Sequence, residues 1–356
     1  MLPKLIKIML LFFLNCQFLN GNQQECNYCT EIIRTKYIIF ESKKYHNLCY
    51  QNFIQLKCDF CEKNISKEYT IFNNNSYHEN CFKKNIQIKC DFCLDVIDDI
   101  YIKNKNQKFH NSCYKNNILE KCDICSKPLE GEFLIDFWKN KYHSYHQNNL
   151  PSCDSCNRLI SQQLTNGGYE IDKNQEICSL CFLFLINKEE QIEDLDIEVR
   201  STLKMAGIIG LPKVPITLVA DQKELERFSS QRNTNMKGFT YYNKTMLKGI
   251  KIREEIHIYI LSNMHLVAFK AVLAHELLHV YLFLNDYELR SDIREGFCNL
   301  GSQLIFSTTN TNLSNYFLKS MYQNKDPDYG IGFLKMNKVL EKQGWERLLE
   351  QLKNIK

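Results

Sequence analysis

The residues best suited to chemistry in this 356-residue chain are His275-Glu276-Leu277-Leu278-His279. On a helix, positions i and i+4 share a face, so His275 and His279 can reach one metal ion. Glu276 is rotated by about 100 degrees, close enough to act on a water held by that ion without ligating it. The chemistry this points to is zinc-assisted hydrolysis. The ion lowers the pKa of its water toward about 7, Glu276 takes the proton as the water attacks a carbonyl, and the proton then passes to the leaving amine. A third ligand has to come from outside the motif, and no His follows His279. Glu295, in the next expected helix, is the first choice, with Asp286, Glu288 and Asp292 as alternatives.

A second set of metal-binding residue types fills the first half. Cys-x-x-Cys begins at Cys26, Cys58, Cys90 and Cys122, a period of 32 residues. The first three units each add a His-x-x-Cys, giving Cys26/Cys29/His46/Cys49, Cys58/Cys61/His78/Cys81 and Cys90/Cys93/His110/Cys113. The fourth joins Cys122 and Cys125 to His143 and His146, and Cys153/Cys156 with Cys178/Cys181 completes a fifth set. Two ligands from one tight turn reach the same tetrahedral ion, and thiolate and imidazole are preferred zinc ligands. These sets leave over only Cys16 and Cys298 among the 17 Cys. A unit of this length buries too little apolar surface to fold alone, so something must staple it. Disulfides are the competing staple, favoured in an oxidising compartment. They give no reason for a His three positions before a Cys in three successive repeats.

The elements that must position the second-half residues can be read from its pattern. Leu266 to Leu284 is a long apolar stretch carrying Lys270, His275, Glu276 and His279, which predicts a buried helix rather than a membrane span. Ser291 to Phe306 reads as the helix bearing Glu295. Val214 to Ala220, Gly238 to Tyr242 and Glu255 to Leu261 are strand candidates, and Asp221 is a plausible N-cap for a helix starting at Gln222. The strand over Glu255 to Leu261 is the expected sheet edge for an extended peptide. Tyr329, beside Gly330, reads as a turn residue, with oxyanion hydrogen bonding as the alternative. Cys298 reads as a small buried residue, and His257 and His265 as residues without a catalytic role.

Composition sets the frame. Hydrophobic types make up 44% and charged types 24%, which is globular. The net charge of +4 and the lack of a basic stripe argue against nucleic acid as a partner. Lys4 and Lys7 precede an apolar run from Ile8 to Leu14 and then a polar exit, the order of a secretory signal peptide. The run is shorter than the roughly 20 residues that span a bilayer, so no transmembrane span is expected after cleavage. Asn64, Asn74, Asn243 and Asn312 sit in glycosylation sequons. The expected location is the secretory pathway, secreted or vesicular.

Cys122 to Cys181 resembles a LIM domain, two zinc knuckles in tandem, and the upstream units resemble half-LIM modules. The string CDICSKPLEGEFLIDFWKNKYHSYH, then CDSCNRL and ICSLC, is similar to the plant LIM-domain peptidases that restrain organ growth (the DA-one type). LAHELLHVYLFLNDY, REGFC and DPDYGIGF resemble the peptidase core of the same family. The resemblance covers roughly residues 120 to 350. It implies proteolysis of protein substrates, with His275, Glu276, His279 and Glu295 on the family's zinc motif. Where the family has paired Glu before the Gly, this chain has Arg294-Glu295. The plant members carry ubiquitin-interacting helices and act inside the cell, so ubiquitin-triggered activity and plant substrates do not transfer to a chain with a leader and extra zinc units.

The expected organisation is therefore multidomain. A signal peptide (1–21) precedes three LIM-like units (22–119), a LIM domain (120–185) and an α+β zincin-type metallopeptidase domain (186–356). The small zinc-stapled modules are β-rich. One catalytic and about five structural zinc ions are expected, with a protein or peptide substrate and a protein partner on the LIM-like modules. The alternative is a LIM-type interaction protein with an inactive peptidase-like domain.

Overall fold

In the computed structural model the chain divides into two compact units, Met1–Glu120 and Lys121–Lys356. The structure describes residues 6–8, 24–172, 175–229, 236–248 and 250–354.

Each repeat of the first unit is a knuckle, a hairpin and one helical turn. The residue after the second Cys of each knuckle, Thr30, Glu62 or Leu94, takes a left-handed conformation that turns the chain back. The hairpins pair Tyr37–Phe40 with Lys43–His46, Tyr69–Phe72 with Asn75–His78, and Tyr101–Asn104 with Gln107–His110. The His ends the second strand and the Cys three residues on ends the helical turn, so both return to the knuckle. The aromatic residue before each His meets the one after each Cys. Ring centroids lie 6.2 Å apart for Tyr45–Tyr50, 6.1 Å for Tyr77–Phe82 and 5.9 Å for Phe109–Tyr114. A core of a few side chains per repeat is well below what an independent fold needs, so the metal cluster must supply the rest. Ile6–Ile8 adds an antiparallel strand beside Tyr69–Ile71. The remainder of the expected leader lies outside the described residues, apart from these three.

The second unit holds two further knuckles and a helical region with a small sheet. The boundary expected at residue 186 falls inside this unit. Leu185–Ile186 pairs antiparallel with Met264–His265, and Phe137 and Trp138 pack on Tyr316 at 5.2 and 5.7 Å. The sheet contains β1 (Ile216–Val219), β2 (Gly238–Leu247) and β3 (Ile250–Leu261) in the order β1-β3-β2. β3 runs parallel to β1 and antiparallel to β2. The strand expected at the edge is thus the central one, and β2 is an edge. Counting β-branched residues marks a strand as buried on its faces, but it does not say which neighbours flank it.

Among the described residues, six helices of eight residues or more follow the knuckles: α1 (Ile192–Met205), α2 (Gln222–Ser229), α3 (Leu266–Leu284), α4 (Ser291–Thr309), α5 (Asn312–Gln323) and α6 (Phe333–Asn354). Asp221 Oδ1 accepts from the Glu224 amide at 2.9 Å and caps α2. Among the described residues α3 is the one helix long and apolar enough to cross a membrane, and most of it is buried inside the unit. It is apolar all round because the sheet covers one side and α1 and α4 the other. Glycine sets how closely α4 approaches its neighbours. A Cβ at Gly301 would sit 2.9 Å from the Ala274 carbonyl of α3, and one at Gly296 would collide with the Gly332 backbone.

Candidate metal centres

Glu295 precedes one of those glycines, and the close approach of α4 carries its carboxylate to the His face of α3. Glu295 Oε2 lies 3.4 Å from His275 Nε2 and 3.3 Å from His279 Nε2, and the two Nε2 atoms are 3.1 Å apart. Nitrogen and oxygen ligands held at about 2.0–2.2 Å around a tetrahedral ion are separated by about 3.3–3.6 Å. The two sides that meet at Glu295 fall in that range, and the side between the imidazoles, at 3.1 Å, is slightly shorter. His275 and Glu295 are buried and His279 is partly buried, and Glu295 Oε2 has no hydrogen-bond partner. A buried carboxylate oxygen without a donor is costly unless a cation faces it. The donor set fits zinc.

The alternative third ligands are engaged elsewhere. Asp286 accepts from Lys244 at 2.6 Å, Asp292 pairs with Arg290 and Lys335 at 2.7 and 2.8 Å, and Glu288 is exposed.

Three further residues organise this cluster, and two of them carry no sequence signal of their own. Asn299, one helical turn beyond Glu295, places Oδ1 2.9 Å from His275 Nδ1 and donates Nδ2 to the Tyr329 carbonyl at 2.7 Å. With its amide anchored in that direction, Oδ1 accepts the Nδ1 proton of His275 and leaves Nε2 as a lone pair. Thr240 of β2 donates its hydroxyl to Glu276 Oε2 at 2.7 Å and to the Glu276 carbonyl at 3.1 Å. Gly238 lies so close that a Cβ there would meet Glu276 Oε1 at 2.7 Å. Asking which acceptor could fix a His tautomer one turn from Glu295 would have found Asn299; Thr240 is visible only once β2 lies against α3. The third, Tyr329, is in the turn Pro327–Gly332, with its ring 6.1 Å from that of His275. Burial and the nearby Glu295 and Glu276 carboxylates push its ionisation well up, so the hydroxyl keeps its proton.

His257 and His265 lie apart from this cluster. His257 Nε2 is 2.8 Å from the Thr217 hydroxyl, and His265 Nδ1 accepts from the Val267 amide at 3.2 Å, capping α3. Burial takes the His265 pKa down to about 4, so it stays a neutral acceptor. Cys298 is fully buried on α4, and burial pushes its thiol up.

The five cysteine-rich groups come together as sets: Cys26/Cys29/His46/Cys49, Cys58/Cys61/His78/Cys81, Cys90/Cys93/His110/Cys113, Cys122/Cys125/His143/His146 and Cys153/Cys156/Cys178/Cys181. Within each set the ligand atoms lie within 4.8 Å of one another. In the repeats, the first-knuckle sulfur sits 3.3–3.4 Å from the His Nδ1, as in Cys29–His46, Cys61–His78 and Cys93–His110. His110 Nε2 is 3.0 Å from the Val96 carbonyl and His143 Nε2 3.2 Å from that of Pro128, which fixes the Nδ1 lone pair toward the cluster. Cys156 and Cys178 sulfurs are 3.7 Å apart, a ligand–ligand spacing and far beyond an S–S bond, and the described cysteines are all free.

Thiol acidities fit a cation in these sets. Burial opposes ionisation of Cys26, Cys58 and Cys90, yet backbone amides donating to each sulfur bring them down to about 6. Burial and the neighbouring sulfurs push Cys49, Cys81 and Cys113 up to about 11. Near pH 7.5 the latter three carry protons, and zinc takes thiolate. Zinc loading of each repeat is therefore expected to release at least one proton, and affinity to fall further below pH 6 as Cys26, Cys58 and Cys90 protonate. Calorimetric titration in buffers of different ionisation enthalpy reads this directly, and a proton count of zero would contradict it.

No family model matches the chain. Protein DA1 of Arabidopsis thaliana is 22% identical over 274 residues, 61% of this chain and 51% of that protein. Protein DA1-related 7 of the same plant is 21% identical over 279 residues, 61% of this chain and 50% of that protein. The chain is similar to these DA1-type proteins at that level. It spans about half the length of the curated relatives it matches. Repeated Cys/His zinc-binding units with small strand pairs, followed by a helical region, are what this chain is built from, and such LIM-like modules have the capacity to bind protein.

Proposed function

We propose that residues 186–356 of the second unit form a zincin-type zinc metallopeptidase and that the LIM-like modules bind a protein partner or regulate access. The observation that carries this reading is the His275/His279/Glu295 triangle with its donor-less buried Glu295 oxygen. Zinc, when bound there, supplies a Lewis acid that acidifies water and polarises a carbonyl. The chain supplies the rest. The Thr240 hydroxyl occupies Glu276 Oε2, which leaves Oε1 to accept a proton from the attacking water and to return it to the leaving amine. Tyr329, still protonated, can donate to the carbonyl oxygen as charge develops on it.

A peptide has an edge to lie on. Leu261 N–H donates to the Lys237 carbonyl, and the register pairs Phe239 with Tyr259 and Tyr241 with His257. In an antiparallel ladder, Gly238, Thr240 and Tyr242 then point their N–H and C=O away from β3. Among the described residues no strand pairs with that side of β2. Strand addition there would run a peptide past Glu276.

The proposed ion count is one at the His275/His279/Glu295 centre and five in the cysteine-rich sets. The proposed route is secretory, on the order of Lys4 and Lys7, the apolar run Ile8 to Leu14 and the polar stretch after it. The reading of the chain as a LIM-type binding protein with an inactive peptidase-like region leaves both the Thr240–Glu276 hydrogen bond and the orphaned carboxylate oxygen without a purpose.

The direct test is cleavage of unfolded casein by the full chain. Activity is expected to disappear in a zinc chelator and to return with added zinc; cleavage that persists after complete metal removal would rule the mechanism out. A second expectation concerns Asn299→Ala, which frees His275 to rotate and to change tautomer. Zinc affinity at this centre is expected to fall about 10–100-fold, measured by competition with a zinc-binding dye. Unchanged affinity would remove Asn299 from the metal centre.

A further inference from the structure

The metal centre continues into an aromatic surface that the hydrolytic chemistry does not use. On α3, Phe283 lies one turn beyond His279, with ring centroids 6.1 Å apart and planes 22° from parallel. Tyr242 of β2 stacks on Phe283 at 4.7 Å and 3°. Both rings are half-buried, so part of each is open to solvent. The far end is polar: the Tyr242 hydroxyl donates to Glu254 at 3.1 Å, and Lys244 pairs with Asp286 at 2.6 Å. This places a flat apolar floor between the proposed reaction centre and a charged stop.

The spacing matches a bound strand. β2 tracks α3, with Gly238 and Thr240 against Glu276, Tyr242 against Phe283, and Lys244 against Asp286. Four helical residues, His279 to Phe283, advance about 6 Å. Two strand residues advance about 6.6–6.8 Å and return the side chain to the same face. A peptide lying on the open side of β2 with its scissile carbonyl at the metal centre therefore sets a nearby side chain over the Phe283–Tyr242 pair.

We infer that Phe283 and Tyr242 form a specificity subsite that selects a large apolar or aromatic side chain within two residues of the cleaved bond. The inference rests on the peptidase reading of the His275/His279/Glu295 centre. Aromatic floors reward flat apolar groups through area burial and offset stacking, and the Lys244–Asp286 pair gives no free charge to attract an acidic or basic residue.

The experiment is cleavage-site profiling of the zinc-loaded full chain on a random peptide library, read by mass spectrometry. Phe, Tyr, Trp, Leu and Met are expected to be enriched at one position near the cut. Phe283→Ala and Tyr242→Ala, from two different elements, are each expected to reduce the kcat/KM ratio of a Phe over an Ala peptide by about tenfold. Phe283→Leu should keep the aliphatic preference and lose the aromatic part. A preference that survives both alanine variants, or an equal loss on Phe and Ala peptides, overturns the subsite and assigns the pair to packing. If the wild-type chain cleaves nothing, the peptidase reading has failed on its own, and the subsite is decided by anisotropy of labelled Phe and Ala peptides on the zinc-loaded chain. Tighter binding of the Phe peptide that vanishes in Phe283→Ala upholds it, and equal binding rejects it.

Discussion

Glu276→Gln is expected to reduce peptide hydrolysis by about 10³-fold or more while leaving the zinc content and the fold intact. The amide matches the carboxylate in shape and can still meet the Thr240 hydroxyl, which now sits 2.7 Å from Oε2. What it loses is the ability to take a proton, and general-base catalysis by a positioned carboxylate is worth about 10²–10⁴ in rate. Because Glu276 stands outside the His275/His279/Glu295 triangle, metal affinity has no reason to change. The measurement is kcat on a casein-derived peptide together with zinc content by elemental analysis. Full activity in this variant would end the peptidase proposal. Loss of activity together with loss of zinc would instead place Glu276 among the ligands.

Cys178→Ser is expected to produce the second large effect, at a residue that has no part in the chemistry. Cys153, Cys156, Cys178 and Cys181 are all buried and share a small core with Ile160, Ile177 and Leu185. Structural zinc contributes roughly 10–16 kcal/mol of apparent free energy in finger peptides, and a module this small has little else to hold it. The consequence reaches α3 through the backbone. Leu185–Ile186 pairs with Met264–His265, the Leu266 amide donates to the Phe184 carbonyl at 2.8 Å, and His265 caps the first turn of α3. Unfolding the module therefore frees the end of the helix that carries His275 and His279. The expected result is one zinc fewer, a Tm lower by about 10 °C or more, and cleavage lost with it. In a unit of this size about 1 kcal/mol moves Tm by ~2–4 °C. The control is Cys61→Ser, whose set belongs to the other compact unit. An equal loss of cleavage there would mean that the coupling does not run through Leu185–Ile186.

Much of this molecule is determined locally and could be read from the chain. Ligands separated by two residues are brought together by a single turn, and a 32-residue period imposes the same hairpin on each of the first three repeats, so those cysteine-rich sets follow from spacing. The helix Leu266–Leu284 needs only its apolar content, and the shared face of His275 and His279 needs only the helical pitch. What tertiary structure decided is everything that depends on two elements meeting. Asp286, Glu288, Asp292 and Glu295 are interchangeable as carboxylates in the chain. The glycine-mediated approach of α4 to α3 and to Gly332 is what brings Glu295 to the imidazoles, while Asp286 and Asp292 find lysine and arginine. Strand order is only partly legible along the chain: β2 and β3 form a local hairpin in which Leu247 faces Ile250, but β1 reaches β3 across tens of residues, as in Ile216 with Ile258. That order makes Gly238–Leu247 an edge and sets Thr240 on Glu276 and Tyr242 on Phe283. A hydrogen bond or a ring stack between residues 36 or 41 positions apart leaves no period in a single sequence, since packing geometry and not chain proximity selects the partner.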